Sequence, residues 1–197
     1  MFGLASRSAL GLLIWLGLVP AAPASGIELA QDGWYRWEVA AGRSGQDACC
    51  YRFTDGAVKL TGCRLGDGMD EFTPAGECDV TSDSMQVFVR VHGGLVREIR
   101  PLSSNCPVKT QSEVHTLEHV SASQSIAWLR KQAQDSPEVA DEAIMTLSFH
   151  AEAIALPELF DIVEDRSARS QVREQALFWL VQTDSDEAYA YLDKLLN

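Results

Sequence analysis

The sequence is poor in basic side chains and in recognisable catalytic motifs. It contains 16 Lys and Arg against 28 Asp and Glu, which gives a formal net charge of −12. An acidic surface repels phosphate backbones, so nucleic-acid binding is not expected. The chain also lacks a G-x-S-x-G elbow, a phosphate-binding glycine loop and a dinucleotide fingerprint. We therefore predict a non-catalytic protein without a cofactor.

Long apolar runs are missing beyond the N-terminus. Ala9–Val19 is an unbroken apolar stretch of 11 residues, and Arg7 is the only charge before Glu28. The small residues Ala22-Pro23-Ala24 follow, which is typical of a signal-peptide cleavage site. The stretch is shorter than the about 20 apolar residues that span a bilayer. The pattern predicts a signal peptide over 1–24, no membrane span in the mature chain, and a periplasmic or secreted protein.

Cysteine is scarce, and all five cysteines lie between Cys49 and Cys106. Thiols in an oxidising compartment tend to pair, which makes structural disulfides the expected role. The C-x-x-C motif of many redox proteins is absent, and the spacing offers no four-cysteine zinc site. No metal is therefore predicted at these cysteines.

The pairing of the cysteines is predicted from the turn that follows the first two. Counting back from an Asp-Gly turn brings Cys49 or Cys50 opposite Cys63. We prefer a disulfide from Cys50 to Cys63, with a second from Cys78 to Cys106. Cys49 is then left as a candidate free thiol, and an alternative function is a thiol-based redox or stress sensor at Cys49 and Cys50.

Residues 27 to about 118 have the patterns of β structure. Strand-forming residues flank Asp55-Gly56, and alternating apolar residues precede Gly93-Gly94, so two hairpins are expected. The predicted strands are 34–39, 50–53, 58–60, 85–91, 95–99 and 112–119, with a long loop over 64–84.

The last third of the chain carries an internal echo at a spacing of 33 residues. Such a period is typical of stacked helical hairpins, none of which can bury its apolar face alone. Ser121 and Gln124 form a capping-box pattern, and further helices are expected to begin near Pro137, Pro157 and Ser170. Five helices are predicted. The recurring positions are Val139, Ala143, Ile144, Leu147, Leu159, Ile162 and Val163, which return as Val172, Ala176, Leu177, Leu180, Leu192, Leu195 and Leu196.

The helix at 172–180 reads V-R-E-Q-A-L-F-W-L, which resembles the V-R-x-x-A-L-x-x-L pattern of HEAT-like repeats. A weaker copy lies at 138–147, with Ala140 in place of the arginine. The resemblance covers about residues 121–197 and implies a curved α-solenoid used for protein contact. The fold class is therefore α+β: a small disulfide-tied antiparallel β domain (25–119) followed by a short HEAT-like α-solenoid (120–197).

The helical segment also carries most of the negative charge. Residues 134–197 have 14 acidic and four basic side chains, a net of −10, whereas residues 25–133 have a net of −3. A basic or extended protein segment is the complementary partner. Equivalent second-helix positions, which stand off the apolar stripe, should form one binding surface. We predict contacts from Trp128, Glu158, Asp161 and Tyr191, although Trp128 has the alternative of packing against the β domain.

Two further groups of residues resemble metal-binding motifs, but the sequence around them does not support metal binding. His115-Thr116-Leu117-Glu118-His119 matches the H-x-x-E-H of inverted zinc peptidases, which raises a metal-dependent hydrolase as another alternative. That chemistry needs both histidines on one helix face, but the capping signal at Ser121 starts the helix after the motif. Asp67, Asp70 and Glu71 could hold calcium, but the EF-hand pattern is absent and a solvated acidic loop is favoured.

Overall fold

The computed structural model describes residues 26–66, 70–72 and 79–196. The predicted signal peptide, Asp67 and Cys78 therefore lie outside the described residues. The strands are β1 Gly33–Ala40, β2 Cys50–Thr54, β3 Ala57–Leu65, β4 Asp70–Phe72, β5 Ser84–His92, β6 Leu95–Ser103, β7 Val108–Thr110 and β8 Val114–Thr116. The helices are α1 Arg43–Gln46, α2 Ala122–Asp135, α3 Ala140–Ser148, α4 Glu152–Glu164, α5 Ser170–Gln182 and α6 Asp186–Leu196, with a 3₁₀ turn at Pro137–Val139.

The strands form two sheets. The first has the order β6-β5-β1-β8, in which β8 runs parallel to β1 and the other pairs are antiparallel. The second has the order β2-β3-β4, with β7 parallel to β3. Strands therefore occupy part of the predicted loop over 64–84, and the last predicted strand, 112–119, is reduced to β8. The short strands β4 and β7 were not predicted because three residues are too few to show a period.

Both predicted hairpins are present. Asp55-Gly56 joins β2 to β3, and Gly93-Gly94 joins β5 to β6, each as a two-residue loop. All four loop residues have positive φ, between 55° and 77°, as a hairpin with a right-handed strand twist requires. Asp32 stabilises the second turn, because its carboxylate accepts the Gly93 and Gly94 N–H groups at 2.8 and 3.1 Å.

The five helices expected after residue 120 are present as α2 to α6. Ser121 and Gln124 form the predicted capping box, with Ser121 Oγ accepting the Gln124 N–H at 3.2 Å. The expected helix start at Pro157 is wrong, because α4 begins five residues earlier at Glu152. Ala151 N–H donates to Ala40 O at 3.2 Å, so pairing with the end of β1 sets where α4 begins.

The first sheet is covered on both faces. Met85, Val87 and Val89 of β5 are 0 % exposed and belong to one apolar core with the helices. Phe88, on the opposite face of β5, is 3 % exposed and packs in a second cluster with Trp34 and the cysteines of the second sheet. The molecule thus has three layers, which are the helices, the first sheet and the second sheet. The strands-then-helices arrangement with two disulfides confirms the predicted α+β class.

Candidate functional site

Of the four residues predicted to contact a partner, Trp128 does not lie on an open surface. Trp128 lies on α2 and is only 9 % exposed. Its ring packs edge-on against that of Trp37 in β1, with 5.4 Å between the ring centroids. The prediction that Trp128 faces a partner is therefore wrong, because the first sheet covers this side of α2.

Glu158 and Asp161 lie on α4, where they differ in their surroundings. Glu158 Oε2 accepts a hydrogen bond from Arg130 Nη1 at 2.8 Å, so this carboxylate is engaged in an ion pair between α4 and α2. Asp161 is exposed. Of these two carboxylates, a partner would therefore meet the exposed one of Asp161, whereas that of Glu158 is already paired with an arginine.

Tyr191 joins α6 to α4. Its ring stacks on Phe160, with 4.2 Å between the centroids and an interplanar angle of 25°. Burial raises the pKa of the Tyr191 hydroxyl, and the nearby Glu164 carboxylate raises it further. The residue is half-buried and serves helix packing, so it offers a partner little surface.

The outer face of α5 is the apolar surface of the helical segment. Leu177, Phe178 and Val181 are 36 %, 51 % and 51 % exposed, and we call them the α5 patch. In the sequence, Phe178 and Trp179 make this helix apolar nearly all round, which predicts burial on several sides. That holds for Trp179, which is half-buried against Phe149, but it is wrong for Phe178.

Two positions 33 residues apart in the sequence differ in burial between the earlier and the later helices. Ile144 of α3 is 0 % exposed, whereas Leu177, its equivalent one repeat later, is 36 % exposed. Ile162 of α4 is 1 % exposed, whereas its equivalent Leu195 is 48 % exposed. α3 packs against α2, β6 and α5, but no described element covers the outer face of α5. Leu177 and Leu195 are therefore exposed leucines at positions whose counterparts 33 residues earlier lie in the core.

A second apolar surface lies on the β2–β3 hairpin. The pairs Tyr51–Leu60 and Phe53–Val58 face each other across the two strands, and so share one face. Their exposed fractions run from 45 % to 70 %. The alternation of apolar and polar residues in β2 is visible in the sequence, but it does not reveal that the apolar face is uncovered. We call these four residues the hairpin patch.

The cysteines form two disulfides among the described residues. Cys50 is bonded to Cys63, the pairing that the hairpin turn favoured. Cys106 is bonded to Cys49, so the predictions of a Cys78–Cys106 bond and of a free Cys49 are wrong. The correction has a physical cause: Ser103 N–H donates to Ala48 O at 2.7 Å, which brings the segment after β6 beside Cys49. No local pattern in the sequence indicates this pairing.

The H-x-x-E-H residues are not arranged as metal ligands. His115 lies on β8 and packs against the Tyr35 ring at 5.1 Å, while His119 lies in a turn with φ of 61°. Glu118 and His119 line an open cleft of about 370 Å³ on the surface. Within the described residues, the close group of His, Cys, Asp or Glu side chains is instead Cys49, Cys63 and Cys106, but their sulfurs are bonded in disulfides and offer a metal no thiolate. In the acidic loop, Glu71 accepts a hydrogen bond from Arg52 at 2.5 Å.

A buried polar chain connects the sheet to the helices. Trp37 Nε1 donates to Ser125 Oγ at 2.8 Å, and Ser125 Oγ lies 2.9 Å from His150 Nε2. His150 Nδ1 lies 2.9 Å from the Thr146 carbonyl oxygen. The carbonyl can only accept, so Nδ1 carries the proton and Nε2 accepts from Ser125. Burial lowers the pKa of His150 to about 4, which keeps the ring neutral. Both Ser125 and His150 are 0 % exposed, so this pair cannot reach a substrate.

Comparisons with protein families, with curated proteins and with solved structures found no match to this chain. Among the helices of the described residues, none combines the length and the apolar character that crossing a bilayer requires. The functional argument therefore depends on the surfaces of the molecule itself.

Proposed function

We propose that the protein is a non-catalytic interaction module of the periplasm or the extracellular space. Its HEAT-like helical array binds a helical segment of a partner protein on the α5 patch. The two disulfides agree with an oxidising compartment. The observation that carries the proposal is the pair of repeat positions that are buried in the first unit and open in the last.

The geometry of a repeat array supports a helix as the occupant. In such arrays each unit completes the core of its neighbour, and the open face of the last unit has the shape that one more helix would cover. Amphipathic helices bind through anchors spaced three or four residues apart. Val181 lies three residues after Phe178 and four after Leu177, so a partner helix can lie along them as a further helix of the array would.

The charge of the helical segment supports a basic partner. Glu174, Asp186 and Glu187 are exposed on α5 and α6, and the segment from 134 to 197 has a net charge of −10. Rim charges set the association rate and its salt dependence, while buried apolar anchors supply most of the affinity. The proposed ligand is therefore a helix with Leu- or Phe-like anchors on one side and Lys or Arg beside them.

Photo-crosslinking from the α5 patch tests this proposal. Phe178 is replaced by p-benzoylphenylalanine in the chain expressed in its own compartment, and Leu95 is replaced in a matched control. Leu95 is 56 % exposed and lies at the start of β6, outside the α5 patch. We expect a protein adduct from position 178 and none from position 95. If position 178 yields no adduct, the α5 patch is not the binding surface.

The crosslinked partner then allows a measurement of affinity. We expect the double variant Leu177→Ser with Val181→Ser to raise the dissociation constant more than tenfold, since losing anchors costs about 1.4 kcal/mol or more. Leu95→Ser should leave the affinity unchanged. Raising the salt concentration should weaken binding, because the rim charges are exposed. An unchanged affinity in the double variant would exclude the proposed contact.

A further inference from the structure

In each disulfide, the two cysteines differ in their exposure to solvent. Cys63 is 0 % exposed and Cys106 is 6 % exposed, whereas Cys49 and Cys50 are half-buried at the start of β2. Each bond thus joins one buried cysteine to one that is partly exposed, and we call Cys49 and Cys50 the accessible cysteines. Because a thiolate must reach the sulfur that it attacks, Cys49 and Cys50 are the points of attack.

The two buried sulfurs are in contact. Cys63 Sγ and Cys106 Sγ are 3.7 Å apart, although each is bonded to a different cysteine. The backbone on both sides is fixed: Cys63 N–H donates to Pro107 O at 2.8 Å, and Cys106 N–H donates to Ser103 O at 2.9 Å. These two sulfurs therefore remain neighbours when the accessible ends of the bonds are opened.

The two accessible cysteines cannot easily bond to each other. Cys49 and Cys50 are adjacent in the chain, and the peptide bonds of the described residues are trans. A trans peptide sets adjacent Cα atoms about 3.8 Å apart, which is below the roughly 4.4–6.8 Å that disulfides prefer. Suppose that one of the two disulfides is reduced and the two resulting thiols are Cys49 and Cys50. The one disulfide that remains is then Cys63–Cys106.

We propose that this four-cysteine cluster is a thiol–disulfide exchange site for a dithiol reductant. The dithiol reacts at the accessible Cys49, and the remaining disulfide moves inward to join Cys63 to Cys106. Cys49 and Cys50 become an accessible pair of thiols. The role differs from the binding function of the α5 patch and does not depend on it.

The exchange balances in three steps. A thiolate of the dithiol attacks Cys49 Sγ, forms a mixed disulfide and expels the electron pair onto Cys106 Sγ. The Cys106 thiolate attacks Cys63 Sγ, forms Cys63–Cys106 and expels the electron pair onto Cys50 Sγ, which takes a proton from solvent. The second thiolate of the dithiol closes its own disulfide and releases Cys49, which is also protonated. The dithiol loses two electrons and two protons, and the protein gains them.

The surroundings of the sulfurs give the exchange its direction. Cys106 and Cys63 share an apolar cluster with Trp34, Phe88 and Leu102. A thiolate released among such side chains is poorly solvated, and this cost favours its attack on the neighbouring sulfur. The charge then appears on Cys50, which is half-exposed and can be hydrated or protonated. The inward move of the disulfide therefore carries negative charge from the core to the surface.

Partial reduction with labelling tests the proposal on the folded chain. The protein is treated with one molar equivalent of dithiothreitol, the free thiols are alkylated at once, and the linked peptides are mapped by mass spectrometry. We expect the main product to carry labels on Cys49 and Cys50 and to retain a Cys63–Cys106 bond. Labels on Cys49 with Cys106, or on Cys50 with Cys63, would show simple reduction without exchange and overturn the proposal. Simultaneous labelling of all four, or no reaction, would also overturn it.

Two variants separate the exchange from other routes. A chain with Cys50→Ala and Cys63→Ala keeps only the Cys49–Cys106 bond, so its reduction should label Cys49 and Cys106. A Cys78→Ala chain removes the fifth cysteine and should still give the Cys63–Cys106 product. If that product forms only when Cys78 is present, the exchange runs through the fifth cysteine and the proposed route is wrong.

Discussion

Trp37 is the residue at which the sheet and the helices meet. It is 1 % exposed, its ring packs on Trp128, and its indole N–H begins the chain of hydrogen bonds to Ser125 and His150. Each polar atom of this chain has a partner, which is the condition for burying polar groups at little cost. The network thus fixes how α2 and the α3–α4 connection lie on β1.

The His150 ring makes folding stability depend on pH. The pKa of His150 is about 4 in the folded chain, against the ordinary value of 6.5 that applies to the unfolded chain. Between these two pH values the unfolded chain binds a proton that the folded chain does not. The contribution of His150 to the free energy of unfolding is fully present above pH 6.5. It is lost as the pH falls towards 4, by about 3 kcal/mol in total. Urea unfolding measured from pH 7 to pH 4 checks this.

A matched pair of variants isolates the contribution of His150. His150→Asn should remove most of the extra loss of stability on acidification, whatever it costs at neutral pH. His119→Asn is the control, because His119 is exposed and its φ of 61° suits asparagine. Equal pH slopes in the wild-type chain and in His150→Asn would show that His150 is not the source.

At the scale of elements, the α3–α4 connection binds the end of β1. Gly42 N–H donates to Phe149 O at 2.8 Å, and Ala41 pairs with His150 as an isolated β-bridge. The helix α1 follows at once and lies under the same connection, with Gly45 buried. These backbone contacts connect the strand and helix segments independently of the apolar core.

Replacing Gly45 by alanine tests this close approach. A Cβ at Gly45 would lie 2.6 Å from Phe149 O and 3.2 Å from Met85 Sδ. Gly→Ala usually stabilises or is neutral where there is room, but here overpacking should lower the free energy of unfolding by about 1–3 kcal/mol. Gly26→Ala, which meets nothing within 4 Å, should have no such effect. Urea denaturation of both variants measures the difference, and an equal stability would contradict the contact.

The elements that were predicted correctly from the sequence are those whose ends are set by residues close to them in the chain. The two hairpins depend on Asp55-Gly56 and Gly93-Gly94, and the start of α2 depends on its own capping box. The start of α4 depends on Ala40, more than 100 positions earlier in the chain, and so has no local signal. The same reason hides the Cys49–Cys106 bond and the burial of Trp128, which need the packing of distant segments.

The candidate surfaces were predictable only in part. The apolar character of α5 is evident in the sequence, but whether Leu177 and Phe178 are covered depends on which elements lie beside them. The hairpin patch poses the same question for β2 and β3. Periodicity identifies which residues share a face, and packing alone decides which faces remain open.

At the scale of the whole molecule, one apolar core crosses the boundary between strands and helices. It contains Trp37, Val87 and Val89 of the first sheet together with Leu129, Ile144 and Leu159 of the helices, all at most 1 % exposed. The change from strands to helices near residue 120 therefore does not separate two independently packed domains. Neither segment can bury its apolar face without the other.

A shared core predicts a single unfolding transition. With the disulfides intact, tryptophan fluorescence and helical circular dichroism should give coincident urea midpoints, because the sheet and the helices lose their packing together. Trp37 in the sheet and Trp128 in the helices make the fluorescence sensitive to this junction. Two separated midpoints would show that the segments unfold independently.

The order of the chain has a consequence for its synthesis. β1 is made before both of its neighbours, β5 and β8, and the helices that cover the first sheet are made last. A nascent chain that has emerged only through β8 presents Val87, Val89 and Trp37 on an uncovered face. Folding during synthesis therefore cannot finish before α5 has left the ribosome, and a holding chaperone would find its binding site on that sheet face.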